Sequence, residues 1–173
     1  MTKITTFRDL NVYQKLKSLH LEVHAESLKF PKFEMYELGS QVRRSSNAAP
    51  AILAEGWGSR HTNIYLEAIN RSLGEVRETQ HHLDIAASKH YLTPKRFQEL
   101  DTAYNHCGGM LERLYQSLNQ WRGSRRSDSE LRETPPPYGI PTQSPDVEWD
   151  HIVALTEQIL STPDIPQPPT DNP

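Results

Sequence analysis

Between residues 9 and 121 the apolar side chains recur at steps of three and four, the spacing of one helix face. Four such runs are separated by short breaks. The last is the most regular: Phe97, Leu100, Tyr104, Cys107, Leu111, Leu114, Leu118 and Trp121 alternate strictly by three and four. Ahead of it, Thr93-Pro94 reads as an N-cap and first helical residue. The third run carries Leu66, Ile69, Leu73, Val76, Gln80, Leu83 and Ala87, with Thr62 as its cap. The second covers about residues 33–56 and puts Leu38, Val42, Ser45, Ala49, Ile52 and Gly56 on one stripe. The first covers about residues 9–28, capped by Asp9, with Leu16, Leu19, Val23 and Phe30 in register. Phe30-Pro31 closes it, because a residue before proline is pushed out of the α region. No part of residues 1–122 alternates with period two. The fold class expected is therefore all-α, an antiparallel up-down four-helix bundle.

Details within the runs sharpen this picture. The stripe of the second helix is made of small side chains, which lets neighbouring backbones come close. Pro50 lacks an N–H and predicts a kink, with Ser46 and Asn47 supplying local hydrogen bonds. Gly56 and Gly58 around Trp57 suit a C-terminal turn. Gly74 inside the third helix costs about 1 kcal/mol against Ala, which a close helix crossing would offset. Gly108-Gly109 suggests a second close approach. On the first helix, Leu10, Leu21 and Leu28 form a second apolar stripe. It reads either as a wide core face or as a contact between copies of the chain.

Composition divides the chain near Gly123. Three of the thirteen prolines precede that residue and ten follow it. Residues 1–122 hold sixteen Lys/Arg and thirteen Asp/Glu, a net +3; residues 123–173 hold three and nine, a net −6. Two units follow, a bundle over 1–122 and a linker and acidic tail over 123–173. Apolar residues return at 146–160, where a short helix is expected to carry Trp149, Ile152, Leu155 and Ile159 as a docking face, for a partner in the favoured reading, with a groove on its own bundle or competition with nucleic acid for the basic end as alternatives. The single cysteine excludes an intrachain disulfide. With no apolar h-region at the start and no membrane-length apolar run, a soluble cytoplasmic protein without a membrane role is expected.

Candidate chemistry is sparse. His20 and His24 share a helix face, but the order is His-Leu-Glu-Val-His and no third ligand is evident. Glu55 reads as a buried acid or base, or as a cap or ion-pair partner at the bundle end, the second being favoured. No nucleophile–base pair, phosphate-cradling loop or carboxylate pair accompanies it. No catalytic residue, metal or cofactor is assigned, and the protein is expected not to be an enzyme. Arg43 and Arg44 stand off the core stripe and read either as phosphate contacts or as ion-pairing partners of a neighbouring helix or subunit. In an up-down bundle, Lys3, Arg8, Arg60, Arg122, Arg125 and Arg126 gather at one end, diluted by Asp9, Glu55 and Asp128. Such a patch could track a phosphate backbone, with Tyr13 and Trp57 either stacking on bases or buried in the core.

A set of segments in order is specific for one family. Phe7-Arg8-Asp9-Leu10, Tyr13-Gln14-Lys15, Phe30-Pro31, Gln41-Val42-Arg43-Arg44-Ser45, Ala54-Glu55-Gly56 and Leu73-Gly74-Glu75 resemble the four-helix bundle proteins of bacterial 23S rRNA intervening sequences. That family is related in fold to the accessory variability proteins of diversity-generating retroelements. The resemblance implies a ring-shaped homopentamer, binding of structured RNA or DNA, and partnership with a reverse transcriptase. The function expected is a non-enzymatic, oligomeric nucleic-acid-binding accessory protein. The alternative is an oligomeric scaffold that displays its tail to protein partners and has no nucleic-acid role.

Overall fold

The computed structural model describes residues 4–59, 61–130 and 154. A short 3-10 helix, Phe7–Asp9, precedes four α-helices: α1 (Asn11–Ser27), α2 (Leu38–Gly56), α3 (Thr62–Ser88) and α4 (Pro94–Glu130). Each helix packs on the next and α4 returns to α1, giving the antiparallel four-helix bundle that the periodicity predicts. No strand is present among the described residues. The predicted stripes form its core. Leu16, Leu19 and Val23 of α1 and the whole small-residue stripe of α2 are buried, as are Leu66, Ile69, Val76, Leu83, Leu100, Tyr104, Leu111, Leu114 and Leu118 of α3 and α4.

Polar links tie the small-residue face together. Ser72 of α3 donates to the Ala49 carbonyl at 2.8 Å, and the Thr79 hydroxyl lies 3.0 Å from Ser45 Oγ. Both pairs are buried, so each partner replaces the water it lost on folding. α2 runs on through Pro50. Ser46 turns back to its own helix, donating to the Arg43 carbonyl at 3.0 Å.

Helix ends depart from the predicted ones for local reasons. Asp9 does not cap α1; its carboxylate accepts from the Thr5 and Thr6 N–H groups at 2.9 and 2.8 Å and closes the 3-10 turn as a capping box. These bonds to a charged acceptor hold the Asp9 carboxyl below its ordinary range. α1 then starts after Leu10. α2 starts later than predicted because residues 32–37 form turns, with the Gly39 N–H bonded to the Glu34 carbonyl at 2.8 Å. Thr62 is the first residue of α3 and not its cap; His61 holds the cap position. α3 ends in a Schellman pattern. Tyr91 N–H reaches the Ala86 carbonyl and His90 N–H the Ala87 carbonyl, with His90 at φ +60°. At the start of α4 the Thr93 hydroxyl accepts from Arg96 N–H, as the Thr-Pro pair predicts. α4 continues through Gly123 to Glu130, about 12 Å past Arg122, although the apolar periodicity stops at Trp121. The rest of the tail lies outside the described residues, and of the helix expected at 146–160 only Ala154 is described.

The glycines divide into two kinds. A Cβ on Gly56 would collide with the Ala68 side chain, so α2 and α3 cross there at a separation only glycine permits. Gly74 has open space around it, contrary to the predicted crossing, and Gly108 and Gly109 stand at ordinary contact distance from their neighbours.

Candidate nucleic-acid interface

The antiparallel topology brings the chain start, the end of α2, the start of α3 and the distal part of α4 to one end of the bundle. Arg8 is exposed there, its guanidinium 4.5 Å from the centre of the Phe7 ring. Phe7 packs edge-on against Tyr13 at 5.0 Å, and Gln14 donates to the Arg8 carbonyl at 2.9 Å, so the turn carrying Arg8 is held on both sides. Arg122 spends its fork on its own chain: Nη1 donates to Asn63 at 2.5 Å and Nη2 to Asn119 at 2.8 Å. It therefore staples α4 to the first turn of α3. Trp57 packs edge-on to Tyr65 at 5.8 Å and is half-buried, as is Tyr13. Arg60 and the side chains of Lys3, Arg125 and Arg126 lie outside the described residues.

Arg43 and Arg44 do not join this cluster. Arg44 lies twelve residues before Gly56, about 18 Å along α2. The two side chains also diverge, as neighbours on a helix must. Arg43 is half-buried and turned inward, donating to Ser27 Oγ at 3.0 Å and to the Met35 carbonyl at 2.7 Å. It fastens the α1–α2 connection to α2. Arg44 is exposed; it donates to Gln41 at 2.9 Å and faces Glu75 of α3 closely enough to oppose the rise that burial and Glu78 cause in that carboxyl.

The second stripe of α1 splits in the same way. Leu10 is wholly buried, a core residue unavailable to another molecule, because the 3-10 turn folds it under the bundle end. Leu21 and Leu28 are 60% and 51% exposed, and Phe33 and Tyr36 beyond them are 69% and 84% exposed. Sequence periodicity missed the last two because they fall in turns. Glu55 is exposed, not buried, and lines a shallow cleft of about 300 Å³ with Asn63, Ile64, Glu67 and Arg71. His20 lies 2.9 Å from Ser46 Oγ across α1 and α2, its imidazole pushed down by burial and by His24. Among the described residues no three His, Cys, Asp or Glu side chains gather as metal ligands.

A polar cluster at the opposite end carried no periodic signal in the sequence. Glu34 is buried, and its carboxylate accepts from Lys89 at 2.6 Å and from the Tyr91 hydroxyl at 3.2 Å. The Lys89 hydrogen bond holds the Glu34 carboxyl below its ordinary range and raises Lys89 in return, while burial and Glu34 raise Tyr91. Nearby, Arg96 of α4 reaches Glu22 at 2.8 Å and Glu26 at 3.1 Å on α1. A carboxyl with a lowered folded pKa contributes stability that is complete above its unfolded pKa and disappears as pH falls through the folded value. Thermal midpoints measured from about pH 5 down to about pH 3, a window that spans the usual carboxylate pKa and reaches below it, should fall. In Glu34→Gln the fall should be shallower, from a lower starting point.

A sequence profile described as 23S rRNA-intervening sequence protein matches residues 8–113. The match takes in Arg8, Arg43, Arg44 and most of the bundle, and stops short of Arg122 and the tail. No curated protein matches the chain. No helix among the described residues is long and apolar enough to cross a membrane.

Proposed function

The chain belongs to the 23S rRNA-intervening sequence protein family, and we propose that it acts as a non-enzymatic, oligomeric accessory protein that binds RNA or DNA. The observation that carries the oligomeric part is the exposed apolar band of Leu21, Leu28, Phe33 and Tyr36. A run of large apolar side chains on one end of a small bundle favours a partner surface, and a ring of five copies is the assembly carried over from the resemblance. Nucleic acid would meet cations left facing solvent, Arg8 and Arg44 among them. The tail, with Trp149, Ile152, Leu155 and Ile159, would dock a protein partner, a reverse transcriptase where the gene lies in a retroelement. A reverse-transcriptase gene beside this one favours that setting; a position inside an rRNA gene favours the intervening-sequence one.

Arg8→Gln together with Arg44→Gln should weaken binding to duplex RNA or DNA and reduce the slope of log K against log salt by about 0.9 for each phosphate that is no longer neutralised. Arg43→Gln should instead lower thermal stability, since Arg43 bonds to Ser27 and Met35. Unchanged affinity and slope in a double variant that still assembles would assign these arginines to structure. The inward commitment of Arg43 and Arg122 favours the second reading, an oligomeric scaffold that presents its tail to proteins and has no nucleic-acid role.

A further inference from the structure

α1 and α4 leave a cleft of about 220 Å³ between them, lined by Lys15, Ser18, Glu22, Ala103, His106 and Cys107 among others. A water's share of liquid volume is about 30 Å³, so the cleft has room for a small polyatomic ligand. Its walls are small where the helices face each other and polar at the mouth. Lys15 Nζ lies 3.2 Å from His106 Nε2. An ammonium has only donors, so the imidazole nitrogen accepts in this contact and two ammonium hydrogens remain for an occupant. The Lys15 charge thus stands at the opening, held there by an acceptor from the other helix, and an anion beside it would be stabilised. The Ser18 hydroxyl lies one turn along α1 from Lys15 and adds a neutral donor.

Other groups fit the same chemistry. The Glu22 carboxylate at the far side is bound to Arg96 at 2.8 Å, so its charge is already answered. The Cys107 thiol is pushed up to about 11 by burial, which makes it a neutral wall. Behind the cleft, the Tyr104 hydroxyl is fully buried with no hydrogen-bond partner among the described residues. Burial raises that hydroxyl well above its ordinary range. A buried hydroxyl without a partner is unfavourable, and a polar group reaching it from the adjoining cleft would relieve that cost. An ammonium and a hydroxyl at one opening suit a ligand with several acceptor oxygens.

We propose that the α1–α4 cleft binds a phosphoryl group, held by the Lys15 ammonium and the Ser18 hydroxyl, with the His106 imidazole orienting the ammonium. The group belongs either to a free phosphate compound or to a nucleic-acid backbone; only the second source rests on the function proposed above. The test titrates full-length protein with inorganic phosphate by calorimetry, and in a second arm with a single-stranded oligouridylate. Lys15→Gln should weaken phosphate binding roughly tenfold, the scale of a lost charge-assisted hydrogen bond. Ser18→Ala should weaken it several-fold, and Lys17→Gln, which removes the same charge two residues away, should change it little. Both Lys15 and Ser18 are exposed, so the helical circular dichroism of the variants should match the wild type. If Lys15→Gln weakens phosphate and oligouridylate together, the site is a backbone subsite. Weakening of phosphate alone makes it a small-molecule site, whatever becomes of the nucleic-acid reading. A wild-type protein that binds phosphate no better than Lys15→Gln, tightly or not at all, overturns the proposal, as does an equal effect of Lys17→Gln.

Discussion

Leu21→Glu is expected to convert the proposed assembly to monomers that keep their helices. The wild-type side chain is more than half exposed on α1, so it contributes little to the core of its own bundle. In an assembly its burial is worth roughly 1.5–3 kcal/mol per copy. A carboxylate at that position would lose this term and add the cost of desolvating a charge. In a closed ring the loss is repeated at every interface, so dissociation should be complete at micromolar concentration. Light scattering should report a multiple of the chain mass for the wild type and the chain mass for the variant. Far-ultraviolet circular dichroism should be nearly unchanged. Leu10→Glu gives the contrasting result, because Leu10 is wholly buried within the chain: it should lose helix content along with assembly. A wild-type monomer at micromolar concentration would refute the oligomer.

The second large effect is a difference of sign between two helical glycines. Gly56→Ala places a methyl group against the Ala68 side chain and 3.4 Å from the Tyr65 ring. α2 and α3 must then separate along the face where they pack most closely, at a cost of about 1–3 kcal/mol. Gly74→Ala meets nothing, and replaces the poorest non-proline helix former with the best for a gain of about 1 kcal/mol. Thermal melts should therefore move in opposite directions, by about 4 °C for each kcal/mol in a domain of this size. A Gly56→Ala variant as stable as the wild type would show that the crossing yields easily. A Gly74→Ala variant that melts lower would place Gly74 at a contact with another molecule.

The family profile and the fold agree with the periodic reading, and the site shows where that reading stops. Apolar residues at steps of three and four named the four helices and most core positions, though not Leu53, Tyr65, Ala68 or Met110, because a helix buries one face and the burial pattern is written into every turn. The same rule placed Leu10 beside Leu21 and Leu28. It could not see that a 3-10 turn, closed by Thr6 and Asp9, breaks the helix register between Leu10 and the other two. The Arg43-Arg44 pair was legible as polar and off the core stripe, but its direction was not. A guanidinium on a long stem goes to whichever acceptors the tertiary structure presents, and for Arg43 those are Ser27 and the Met35 carbonyl.

By itself, then, the sequence determined the all-α class, the four-helix count, the small-residue face of α2 and the break in composition near Gly123. Each of these depends on local spacing or on residue totals, which need no partner. Only the tertiary structure decided which polar groups meet. Glu34 finds Lys89 across fifty-five residues, Lys15 finds His106 across ninety-one, and Arg96 finds Glu22 across seventy-four. These pairs have no period because each joins a loop or helix face to a neighbour chosen by the way the bundle closes. Their side chains gain energy only once the apolar faces have brought the helices together, so the chemistry of the surface is set after the core and by it.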